Sequence, residues 1–204
     1  MPILGGSSAV QSPLIQRPRG FVMFHRPLLF ALIGLAVASR LVPHPPNFVF
    51  LGALGLFAGC HFRGAWAVFA PLAALGISDV IGQLAGLRGM GFYHPLVMLA
   101  VYAGVAASGL IGRALRNRQS VLRIVGSSLA CSVIFFLLSN LGVWASGVYA
   151  AGPAGLVACY AAALPFFGYT LAGDLFYCAL TFGSLAVAGA FGPVSLRRPV
   201  LARR

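Results

Sequence analysis

Lysine and glutamate are absent from this 204-residue chain, and aspartate occurs only at Asp79 and Asp174. Without lysine no Gly-x-x-x-x-Gly-Lys loop can form, so the chain carries no Walker A site and any ATP-driven step would need a separate ATPase. Charged residues make up 8% of the chain and hydrophobic residues 60%, with a mean hydropathy of +0.95. That balance cannot clothe the surface of a water-soluble domain, so the lipid bilayer is the expected solvent. Cysteine is sparse too. Cys60, Cys131, Cys159 and Cys178 stand singly in apolar runs with no C-x-x-C spacing, which reads as small hydrophobes rather than a metal or redox centre.

What is present in quantity is arginine. Fourteen arginines give a net charge of +12, which in a soluble protein would suggest nucleic acid. Here they stand at the ends of apolar runs, where membrane topology accounts for them, and a nucleic-acid partner is not expected. Heavy use of arginine, alanine and glycine fits a GC-rich bacterial genome, which makes the bacterial inner membrane the expected location.

The apolar runs predict an all-α membrane protein, a bundle of about six transmembrane helices. Residues 1–26, rich in Gly, Ser, Pro and Gln, predict a disordered N-terminus. Residues 27–191 form the membrane domain, and 192–204 a basic tail. The first span begins at Pro27 and is short for the roughly 20 residues a bilayer core requires. Within it, Ala36-Val-Ala38 before Ser39 also fits a signal-peptidase site. Further spans are expected over 48–62, 65–87, 93–115 and 124–144. Gly155 to Leu164 reads as a re-entrant or half-helix, interrupted by Pro165, that leads into a sixth span over 166–191. In the second span, Gly55-x-x-x-Gly59 would let a neighbouring helix approach closely. With both termini cytoplasmic, twelve of the fourteen arginines fall inside, and only Arg40 and Arg88 fall outside, so the positive-inside rule selects this orientation.

The polar residues then gather at the outer face. Arg40-Leu-Val-Pro-His-Pro-Pro-Asn-Phe48 cannot be helical throughout, because each proline fixes its own φ and disfavours the α region in the residue before it. His44 and Asn47 are therefore expected on a stiff loop. Asp79 and Gln83 lie one helical turn apart in the outer half of the third span, and His94 follows in the next outer loop. Asn140 and Trp144 end the fifth span, and Asp174 lies early in the sixth. An ionised aspartate near the bilayer centre costs about 2.5–3.5 kcal/mol, so each must face the interior, pair or take up a proton. One reading is helix glue, with Asp79 paired to Arg40 or Arg88 and Asp174 bonded to a Tyr or Asn. The other is an outward pocket for a small molecule or ion, walled by Arg40, His44, Asn47, Asp79, Gln83, His94, Asn140, Trp144 and Asp174.

The loop His-Pro-Pro-Asn-Phe, together with Ser78-Asp79, Ser139-Asn-Leu-Gly-Val-Trp144 and Gly173-Asp174-Leu, resembles a set of small bacterial membrane proteins grouped near the S components of energy-coupling factor transporters. The resemblance covers residues 27–191. It implies a substrate-binding subunit that captures a small molecule or ion from the outer face for import, working with an energising transmembrane subunit and separate ATPases; no cofactor or resident metal is expected. It also implies a docking face of small residues on the first helix, here Ala31, Gly34 and Ala38, with Gly34 where those proteins usually carry alanine. An intramembrane aspartyl protease fits less well, because Leu171-Ala-Gly-Asp174 departs from Gly-x-Gly-Asp at its first position. A metal site from His44, His94 and the aspartates lacks ligand spacing. A non-transporting scaffold or assembly protein is the remaining class, distinguished from a binding subunit by a dry, filled interior.

Overall fold

A computed structural model of the protein describes residues 26–87, 89–117 and 119–190. Six α-helices and no strand occur among them: α1 Arg26–Leu41, α2 Leu51–His61, α3 Trp66–Leu84, α4 Pro95–Leu115, α5 Val121–Ala145 and α6 Pro153–Ala190. α3, α4, α5 and α6 are long and apolar enough to cross a membrane, and the chain is a multi-pass, all-helical membrane protein. The N-terminal segment, Arg88, Arg118 and the basic tail lie outside the described residues.

α2 is the centre of the bundle. It is apolar on every face and nine of its eleven residues are buried, as expected of a helix with no side turned to lipid or water. It packs on α3, α4, α5 and α6, and on α1 at the periphery. The closest approach is to α4, and it is glycine that permits it. A Cβ at Gly55 would overlap Ser108, one at Gly59 would overlap the Gly109 carbonyl, and one at Gly112 would overlap the Leu56 carbonyl. The neighbour anticipated for Gly55-x-x-x-Gly59 is thus α4.

Hydrogen bonds fix the two ends of α2. At its C-terminus Arg116 donates from Nη2 to the Gly59 carbonyl at 2.9 Å, from Nε to the Cys60 carbonyl at 3.2 Å, and to the Phe62 carbonyl. The guanidinium thereby satisfies carbonyls left open at a helix end and complements its dipole. At the N-terminus the Phe50 N–H donates to Ser39 Oγ at 3.1 Å, tying the loop back to α1.

One expected break does not occur. Pro165 lies inside α6, which runs unbroken for 38 residues, so Gly155 to Leu164 is the first part of a long helix rather than a half-helix. Proline removes one N–H and crowds the carbonyl four residues back, which here belongs to the small Ala161, and packing along α5 holds both sides of the interruption in line. α3 likewise runs through Pro71.

Candidate functional site

Eleven residues give α2 a length of about 16 Å at ~1.5 Å per residue, roughly half the ~30 Å hydrocarbon thickness. Beyond its N-terminus no helix among the described residues occupies the middle of the bundle. That space is a cavity of about 690 Å³, open at the end that carries the α1–α2 and α3–α4 loops.

The proline loop forms one wall. Asn47 takes φ +64°, the left-handed region that asparagine tolerates better than most residues, and this turns the chain so that the Phe48 N–H donates to the Pro45 carbonyl at 3.0 Å. The loop then lies on α6 at Gly173, where a Cβ would stand 3.1 Å from Phe48 Cα. Phe48 packs on Phe176 and Tyr177, and Phe50 on Tyr177, with ring centroids 5.2–5.7 Å apart. His44 is held by its own loop: its ring nitrogens lie 2.7 Å from the Pro45 carbonyl oxygen and 3.3 Å from that of Arg40.

The opposite walls come from α5 and α6. Phe135, Phe136, Ser139, Asn140 and Val143 follow the 3.6-residue period of α5, and Ala163, Phe166, Phe167 and Thr170 follow that of α6. Phe136 and Phe167 pack at 4.7 Å between centroids. Asn140 donates from Nδ2 to the Phe136 carbonyl at 2.8 Å, which leaves its side-chain oxygen as an acceptor. Tyr93 completes the rim from the α3–α4 loop. Burial raises its phenol above the ordinary value, and the nearby Asp79 carboxylate adds to this while Arg40 opposes it.

The two aspartates do not share this space. Asp79, 1% exposed, sits behind the wall: it accepts from Arg40 Nη1 at 2.8 Å and from the Tyr102 hydroxyl at 3.0 Å. Arg40 also donates to Ser78 Oγ and, at 3.2 Å, to the Leu75 carbonyl. Asp79 is thus bound to α1 and α4 rather than turned towards a ligand. Asp174 lies on α6 below the cavity floor, bonded to Ser132 Oγ at 2.6 Å.

Of the residues expected in the pocket, Arg40, His44, Asn47 and Asn140 line the main cavity, and Asp174 lines a smaller chamber beneath it. Three others serve the loops instead, because each meets an open backbone group closer than the cavity. Gln83 Oε1 accepts from the Phe92 N–H at 3.1 Å. His94 caps α4 by accepting from the Leu96 N–H at 3.3 Å, and Trp144 Nε1 donates to the Ala150 carbonyl at 3.2 Å. On α1, Ala31, Gly34 and Ala38 are exposed along one face, and nothing lies within 4 Å of a Cβ at Gly34. Among the described residues no group of three His, Cys, Asp or Glu could hold a metal.

Ser132, Tyr102, Thr170 and the phenylalanine lining were not foreseen. The signal was available in the sequence: Ser132, Phe135, Phe136, Ser139, Asn140 and Val143 share one helical face, an aromatic stripe with polar members that ordinary lipid contact does not require.

These features define a class, the all-helical multi-pass membrane proteins with a part-polar cavity at one end of the bundle. The chain belongs to the family of unknown function DUF6580, whose match covers residues 23–194. No curated protein and no solved structure matches it.

Proposed function

We propose that this protein is a non-enzymatic, substrate-binding membrane subunit that captures a small molecule from the outer face of a bacterial inner membrane, in the manner of an S component working with a separate ATPase module. In this reading all six helices lie in the bilayer, both termini are cytoplasmic, and the cavity opens outward, the orientation the arginine distribution favours.

The observation that carries the reading is the cavity of about 690 Å³ left by the short α2, which lies within the ~300–1,000 Å³ typical of small-molecule sites. Its lining describes the occupant. Four phenylalanines, Phe135, Phe136, Phe166 and Phe167, suit a ring or short apolar body, while Asn47, Ser139, Asn140 and Thr170 supply neutral hydrogen-bonding groups. Among the described residues the arginine on the wall, Arg40, is engaged by Asp79. A neutral, ring-sized molecule with two or three polar atoms therefore fits better than the cation that two free carboxylates would have favoured.

The separate partners of Asp79 and Asp174 count against an aspartyl protease, whose carboxylates must share one proton. The test is mass spectrometry of small molecules retained by the protein purified in mild detergent, alongside Ala163→Phe, which fills the cavity. A retained molecule lost in Ala163→Phe is expected. If the wild type retains nothing and no compound of this class shifts its thermal stability, the scaffold reading replaces this one.

A further inference from the structure

Asp174 differs from Asp79 in a way the pocket proposal does not use. Asp174 is 6% exposed, and among the described residues no arginine, histidine or second carboxyl lines the chamber it faces. That chamber, of about 40 Å³, is bounded by Asn47, Gly52, Ser108, Cys131, Thr170 and Asp174, with room for at least one water. It shares Asn47, Val49, Leu51, Phe135 and Thr170 with the main cavity, so the two spaces adjoin at these residues.

The groups around the carboxyl come from the α1–α2 loop and four helices. The loop contributes the Asn47 amide, α2 its backbone at Gly52 and Ala53, and α4 the Ser108 hydroxyl. α5 contributes Ser132 and the Cys131 thiol, and α6 contributes Thr170 and the Cys178 thiol. None is a cation. An isolated carboxylate in such surroundings is costly, and a carboxylic acid is not. Two features oppose this: the carboxyl faces the open first turn of α2 at Gly52 and Ala53, and Ser132 lies 2.6 Å away. A Cβ at position 52 would overlap the carboxyl, so glycine there is what lets Asp174 reach the helix end.

We infer that Asp174 is a proton-binding site in the interior of the membrane domain, filled and emptied through the outer cavity. Ser132 makes both states possible without moving a heavy atom. Its hydroxyl has one hydrogen and two neighbours, Asp174 Oδ2 at 2.6 Å and the Ser128 carbonyl at 3.2 Å. When Asp174 is protonated, its O–H donates to Ser132 Oγ, and Ser132 donates to Ser128. When the Asp174 O–H bond breaks, its electron pair stays on the carboxylate, the proton passes to water in the chamber, and the Ser132 hydroxyl turns to donate to Asp174. The site is independent of what the main cavity binds, which it needs only as a path for water.

The presence of just two aspartates and no glutamate makes the test direct. In wild-type protein carrying ¹³C-carboxyl aspartate, in lipid nanodiscs without added ligand, two side-chain signals are expected. One belongs to Asp79, paired with Arg40, and the other is expected to change late, across the neutral range. The late signal should vanish in Asp174→Asn and persist in Asp79→Asn. Ser132→Ala, which removes a donor to the carboxylate, should move its midpoint to higher pH. Two ionised carboxyls throughout the neutral range, or a late signal that survives in Asp174→Asn, would overturn the assignment. So would a midpoint that shifts when sodium chloride replaces choline chloride, which would make the site one for Na⁺. Ligand retention plays no part in the readout, so failure of the pocket proposal leaves this result interpretable.

Discussion

Arg40 Nη1 lies 2.8 Å from Asp79 Oδ1, an ion pair that joins the last turn of α1 to α3 across 39 positions of sequence. Both groups are largely sequestered, with side-chain exposures of 11% and 1%, and the Tyr102 hydroxyl occupies the second carboxylate oxygen. The pair closes one side of the cavity and excludes Asp79 from it.

Breaking the pair from one side should be severe. Arg40→Met or Asp79→Leu alone leaves an unpaired buried charge and is expected to cost about 3–5 kcal/mol, whereas the double replacement should recover most of that. Tyr102→Phe should cost less, about 1.5–3 kcal/mol for a hydrogen bond to a charged group. Thermal unfolding in detergent, arranged as a double-mutant cycle, measures these values. Additive single losses would mean that the pair is not coupled.

Glycines on two helices should behave oppositely. Gly59→Val drives a side chain into the α4 backbone and is expected to destabilise by at least ~1–3 kcal/mol, since backbone cannot move aside as a flexible side chain can. At Gly34 a Cβ meets nothing within 4 Å among the described residues, so Gly34→Leu should not lower stability. If α1 docks on an energising subunit through Ala31, Gly34 and Ala38, the same Gly34→Leu should abolish co-purification of that subunit. Unchanged co-purification would remove the docking face.

Topology is tested without any ligand. Reporters fused after Arg204 and inserted between Arg116 and Arg123 should both be cytoplasmic, and one inserted at Gly147, in the α5–α6 loop, should be external. An external signal from either of the first two would reverse the cavity, turning its mouth to the cytoplasm.

Within the cavity, Asn140→Leu removes an acceptor while preserving bulk. For a retained molecule that uses this oxygen, affinity should fall roughly tenfold, the ~1.4 kcal/mol scale of one hydrogen bond. Thermal stability of the empty protein should hardly change, because the Asn140 bond to the Phe136 carbonyl lies within its own helix. Equal losses of affinity and stability would make Asn140 a packing residue.

Much of the architecture was legible from composition and periodicity alone. In a medium that cannot satisfy open backbone groups, long apolar runs must become helices, so the positions of α1 to α5 follow from where those runs lie. The proline loop followed from three fixed φ angles, and the pairing of Asp79 with Arg40 was one of two partners an arginine count allowed. α6 was read less well, because a proline inside a helix is tolerated or not according to what packs beside it, and that is not written locally.

Tertiary structure alone decided the cavity. Helix length is local, but the consequence of an eleven-residue α2 is not. Only when longer helices surround it does its shortfall become enclosed space, with the α5 and α6 stripes as walls. The same packing separated two aspartates that look alike in sequence. Asp79 met a guanidinium and a phenol, whereas Asp174 met a hydroxyl, a helix end and a chamber that no cation lines among the described residues. Each carboxyl responds to charges and dipoles within a few ångströms, and those neighbours come from helices far apart in the chain.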